Sequence, residues 1–169
     1  MGKLVLEKKK SIESKEEIQA MKKIVLVTGG FDPLHLGHIS YFKSAKREGD
    51  ELWVGLNSDN WLIRKKGKPF LGINERKGII ENLVMVDKVI LFNDEDNTSN
   101  DAISKCLNSI SLEDTLIFAN GGDRNQKNIP ELKAFNTNSQ IKFIFEVGGA
   151  KRNSSSEILK KWVDFKKEP

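Results

Sequence analysis

The sequence predicts an α/β domain with a doubly wound sheet of about five mostly parallel strands. Three observations carry this expectation. Short apolar, β-branched runs recur along the chain, each the length of a buried strand. Segments with helical periodicity separate them, so strands and helices alternate throughout. Glycines punctuate the strand ends, at Gly29, Gly30, Gly37 and Gly49 in the first unit. That unit takes just over 30 residues, the span of a right-handed crossover between parallel strands.

Each element follows in order. Residues 24–28 (IVLVT) read as the first strand, and 37–48 as a helix with Ile39, Phe42 and Ala45 on one face. Residues 52–56 (LWVGL) are the second strand. A basic loop over 57–72 precedes a helix at 73–83, with Asn74 as its cap. Residues 88–92 (KVILF) form the third strand, 94–100 an acidic loop, and 101–110 a helix. The fourth strand is 115–119 (TLIFA). A short helix over 130–135 has proline at its first position. The fifth strand is 141–147, and a closing helix spans 154–165 with Ile158, Leu159, Trp162 and Val163 as its buried stripe.

Composition narrows the setting. The 169 residues fit one domain. Lys+Arg exceeds Asp+Glu by 28 to 24, which raises the question of an anionic partner. Location answers it. Residues 1–23 hold seven lysines and four glutamates, whereas the remainder holds 21 basic and 20 acidic groups. We therefore divide the chain into a mixed-charge leader, 1–23, and a nearly neutral domain, 24–169. A nucleic-acid partner is not expected. The single cysteine, Cys106, excludes an intrachain disulfide and fits a reducing, cytoplasmic setting. No apolar run is long enough to span a bilayer, so no membrane partner is expected.

Ligands of such sheets bind beyond the carboxyl ends of the strands. Four segments lie there. The first, TGGFDPLHLGH, runs from Thr28 to His38 and holds both histidines of the chain, His35 and His38. Gly29, Gly30 and Gly37 let backbone approach a ligand closely. A helix N-terminus carrying two imidazoles favours a phosphate. A zinc site is the rival reading of HxxH, but no third ligand stands nearby. The second segment gathers Arg64, Lys65, Lys66 and Lys68 around Gly67, a mobile basic lid for phosphates. Arg76 follows at a helix start, in position to clamp a phosphate. The third, ANGGDRN, pairs Gly121 and Gly122 with Asp123, which suits a ribose, a base or a metal-linked water. In the fourth, Ser154, Ser155 and Ser156 open a helix, and Ser154 with Glu157 makes a capping box.

The first segment resembles the GxFDxxHxGH signature of the HxGH nucleotidylyltransferase superfamily, with Phe31, Asp32, His35, Gly37 and His38 in register. The likeness continues through NSD…RKKGKP, the Glu75-Arg76 helix start, GGD and the serine turn, covering about residues 24–159. It resembles most the adenylyltransferase domain acting on heptose 1-phosphate and, in size and HLGH, glycerol-3-phosphate cytidylyltransferase. Such a resemblance implies a Rossmann-like domain that joins ATP or CTP to a phosphorylated small molecule, a sugar or polyol phosphate, with Mg2+ riding on the nucleotide. It implies His35 and His38 at the α-phosphate and Lys46, Arg64 and Arg76 on substrate or pyrophosphate. Asn57 and Asp59 belong to the substrate stretch, and Ser154–Ser156 to the β- and γ-phosphates. Asp32 is either a magnesium contact or a turn residue. The serine turn departs from the cytidylyltransferase form: Gly149 replaces an arginine, while Lys151 and Arg152 precede the serines. A homodimer is implied as well, with Trp53 and Trp61 as interface candidates and core packing the competing role for Trp53. The rivals to an enzyme are a non-catalytic nucleotide sensor of the same fold and an RNA-handling domain, for which the chain is too short.

Overall fold

The computed structural model describes residues 21–149 and 154–165. Five strands form one sheet: β1 (Lys23–Gly29), β2 (Glu51–Leu56), β3 (Lys88–Leu91), β4 (Thr115–Ala119) and β5 (Ile141–Ile144). Their order is β3-β2-β1-β4-β5, and all four pairings are parallel. The expected sheet is present, and β1 with β4 flanks its switch point.

The strands alternate faces, and both faces are apolar because helices cover both. Val25 and Val27 of β1 pack with Val54 on the side of α1 (Leu36–Lys46) and α3 (Ile73–Glu81). Ile24 and Leu26 pack with Leu116 and Phe118 on the side of α4 (Asn100–Leu107), whose Ala102, Ile103 and Cys106 are fully buried. Burial pushes the Cys106 thiol up to about 12, so it is an inert core residue. Trp53 is core too, at 6% exposure. No helix among the described residues is long and apolar enough to cross a membrane.

Three local expectations change. The basic segment after β2 is not a loop: α2 (Asp59–Lys66) forms there, capped by the Ser58 hydroxyl and ended by Gly67 at φ 85°. A basic run at a helix C-terminus agrees with the helix dipole, which the reading of a loop had overlooked. Asn74 is not the cap of α3. Gly72 takes that position, and the free N–H of Ile73 donates to the Asp59 carboxylate instead. Finally, α6 (Ser155–Phe165) does not bury its stripe. Ile158, Trp162 and Val163 are exposed, and Leu159 is half-buried. The leader lies outside the described residues, apart from its last three.

Candidate active site

The site grows from the segment after β1. Gly29 and Gly30 are there because neighbouring rings and side chains occupy the space of a Cβ. At Gly29 it would lie 2.8 Å from the Phe31 ring, and at Gly30 2.8 Å from Leu62. Phe31 folds back under the loop, edge-on to His38 and to Phe42, and is buried. It supports His38 from below and also lines the cleft that the two histidines border.

His35 is the N-cap of α1. Its Nδ1 accepts the backbone N–H of Gly37 at 3.1 Å, and Nδ1 of His38 faces the N–H of His35 at 3.4 Å. The two rings stack, with centroids 3.7 Å apart. Both Nδ1 atoms therefore act as acceptors, which assigns each proton to Nε2. Both rings border one cleft of 610 Å³ at the carboxyl edge of the sheet. Burial holds His35 below its ordinary value, with Lys66 adding to the effect. Burial, then His35 and Lys66, lowers His38 to about 3. Two neutral imidazoles with Nε2–H donors thus stand at the N-terminus of α1, the end of the helix that favours an anion.

The cleft collects Thr28, Gly29, Gly30, Gly37, Gly122, Asp123, Ser154, Ser155 and Ser156 as well. Gly122 and Gly149 adopt φ of 66° and 73° and leave open space where side chains would stand. Ser155 donates to the Pro33 carbonyl, docking the start of α6 onto the histidine loop. Ser154 caps the helix by accepting from Glu157 N–H. Lys151 and Arg152 lie outside the described residues.

Other predicted residues go elsewhere, and each has a visible reason. Lys46 bonds Asp87 and the Asp50 carbonyl at the amino edge of the sheet. The six-residue length of β2 separates that edge from the cleft. Arg64 turns away to the Asp94 carbonyl and Asn97. Asn57 is buried against Asp94, which also accepts the N–H and hydroxyl of Ser58. Arg76 is 1% exposed and is not among the residues that line the cleft. Its guanidinium donates to the carbonyls of Leu71, Gly30 and Asn57 and to the Asp59 carboxylate. Asp32 accepts the N–H groups of Phe70 and Leu71, one on each oxygen, so its role is to fasten the turn.

Lys65 and Lys66 of the expected basic lid do reach the cleft, and Trp61, Tyr41 and Arg124 join them without having been expected there. Lys66 donates to the Asp32 carbonyl, and burial lowers its ammonium below the ordinary range. Arg124 donates to the Thr28 hydroxyl at 3.3 Å. The basic run and the GGDR tetrapeptide were the available signals for the lysines and for Arg124. Trp61, an interface candidate in the sequence, lines the cleft.

A family model described as cytidylyltransferase-like matches residues 26–161. The chain belongs to the cytidylyltransferase-like family. It is 36% identical over 165 residues to the Bifunctional protein HldE of Campylobacter jejuni strain RM1221, covering 93% of this chain and 32% of that protein. The corresponding protein of Campylobacter concisus is 44% identical over 98 residues, 55% of this chain and 21% of that one. The chain thus spans about a third or less of these relatives. Among solved structures, the lipopolysaccharide core biosynthesis protein of Thermoplasma volcanium GSS1 superposes with TM-score 0.56 at 31% identity, over 74% of this chain and 96% of that one. A NadR protein solved with NAD and AMP-PNP shares the fold, at TM-score 0.55 and 17% identity over 84% of this chain and 41% of that one. In this family member, the histidine loop, the α2 lysines and the serine turn converge on one cleft.

Proposed function

We propose that this domain transfers the nucleoside monophosphate of ATP or CTP to the phosphate of a small sugar or polyol phosphate. An acceptor oxygen attacks the α-phosphorus. The new P–O bond forms as the bond to the bridging oxygen of the β-phosphate breaks, and that oxygen leaves with the electron pair in pyrophosphate. The attacking phosphate is already ionised near neutral pH, so no general base is needed. Catalysis is then positioning and charge stabilisation.

The observation that carries this reading is the stacked histidine pair with both Nδ1 atoms occupied by backbone N–H groups. The two Nε2–H groups donate to the α-phosphate oxygens and gain strength as charge builds there. Lys65 and Lys66 supply positive charge on one wall, and the serine turn supplies hydroxyls for the far phosphates. The protein itself builds no magnesium cage from Asp32, whose two oxygens hold amides. Mg2+ is read as part of the nucleotide substrate. The family resemblance also supports a homodimer, which sedimentation velocity tests.

Pyrophosphate release from a matrix of nucleoside triphosphates and phosphorylated acceptors is the decisive assay. Release that requires both substrates is expected. Nucleotide binding without release under every pairing overturns the reading in favour of a sensor.

A further inference from the structure

The cleft has two ends of different character. At the β4–β5 end, Gly122 and Gly149 present bare backbone, a slot that suits a flat nucleoside. At the α2 end stands the Trp61 indole. A Cβ on Gly30 would lie 3.4 Å from its Cζ3, so the ring borders the end of β1 that leads into the histidine loop. Lys65, one turn along α2, holds its ammonium 4.5 Å from the indole centroid. Leu36, the first residue of α1, lines the same cleft and is 74% exposed. An indole, a bare leucine and two ammonium groups beside a phosphate site form a surface matched to an amphipathic anion.

We propose that Trp61 and Lys65 form the acceptor subsite, and that they select the phosphate of a cyclic sugar over that of an open-chain polyol. The inference rests on the transfer reading above. Each end of the cleft must hold one of the two substrates, with their phosphates meeting at the imidazoles. The glycine slot takes the nucleoside, which leaves the α2 end for the acceptor. A sugar ring carries an axial array of C–H groups that packs flat on an indole. A short polyol chain has no such face. Lys65 and Lys66, which line the same stretch of the cleft, pair with the phosphate that the sugar carries.

The test is isothermal titration of the full chain with hexose 1-phosphates and with glycerol 3-phosphate, each in the presence of a non-hydrolysable nucleotide analogue. The wild type is expected to bind at least one hexose 1-phosphate more tightly than glycerol 3-phosphate. Trp61→Ala should weaken that sugar phosphate by about tenfold, with glycerol 3-phosphate and the nucleotide analogue changed less than about twofold. Trp61→Phe should restore most of the affinity, which a merely structural role would not require. Weakened nucleotide binding in Trp61→Ala overturns the assignment and gives the indole to the base. Equal losses for both acceptors, or no binding of any hexose phosphate, overturn it too. The titration reads binding without turnover. Absence of pyrophosphate release therefore refutes the transfer reading separately from this one.

Discussion

Replacing Arg76 with methionine separates two incompatible roles for one cation. A phosphate clamp would leave the protein stable and abolish nucleotide affinity. The geometry says otherwise, because the guanidinium fastens the ends of β1 and β2 to the start of α3 through the carbonyls of Gly30, Asn57 and Leu71. Methionine fills much of the volume but donates nothing. Three carbonyls then lose a charged donor in a buried setting, at roughly 1–3 kcal/mol for each group left unpaired. The losses do not add fully, since all three share one side chain and water can reach the cleft side. Asp59 adds little, because its carboxylate is 36% exposed and water replaces the lost partner. We expect about 3 kcal/mol of destabilisation, a large part of the stability of an ordinary domain. For a chain of this size that lowers the melting temperature by roughly 10 °C. Urea unfolding and a thermal melt measure it directly. Arg76→Lys should recover little, since an ammonium cannot span three acceptors in a plane. A melting temperature within about 2 °C of wild type, together with lost nucleotide affinity, would refute the reasoning and restore the clamp.

Three further outcomes are expected. His38→Ala should lower turnover by about 10²-fold or more with the melting temperature nearly unchanged, since it removes a donor aimed at the transition state; a loss under tenfold in single-turnover kinetics contradicts that role. The depressed His38 value makes stability fall in acid: below pH 6.5 the unfolded chain gains a proton that the folded site refuses, so about 2 kcal/mol should be lost between pH 7 and pH 5. Urea midpoints at the two pH values check the sign, and the difference should shrink in His38→Ala. Lys46→Ala should leave both substrate KM values unchanged and cost at most about 1 kcal/mol, because its ion pair with Asp87 is partly solvated and remote from the cleft; a raised acceptor KM would return Lys46 to the site.

The sequence by itself determined the architecture and the place of the chemistry. Both rest on local signals. The runs at 24–28, 52–56, 88–92 and 115–119 are apolar on both faces, which suits only a covered parallel sheet, and all became strands. The histidine loop, the paired glycines and the serine turn are contiguous motifs, so their spacing survives folding and they meet in one cleft. The destination of each long polar side chain was decided only by tertiary structure. Arg64, Lys65 and Lys66 are neighbours in sequence, yet helix α2 sends the first toward Asp94 and the other two toward the cleft. Arg76 reads as a phosphate clamp and Asp59 as a substrate contact, and the crossing of three segments buries the Arg76 guanidinium and pairs it with the half-exposed Asp59 carboxylate. Lys46 shares the eleven-residue helix with His38, but it stands at the far end, where it reaches the opposite edge of the sheet. The helical stripe of α6 reads as core and remains exposed, since amphipathic spacing states which face is apolar and not whether a partner covers it. Periodicity and caps act over a few residues. A cation's role depends on which carbonyl, carboxylate or ring folding brings within about 3 Å, and that is fixed by contacts between segments far apart in the chain.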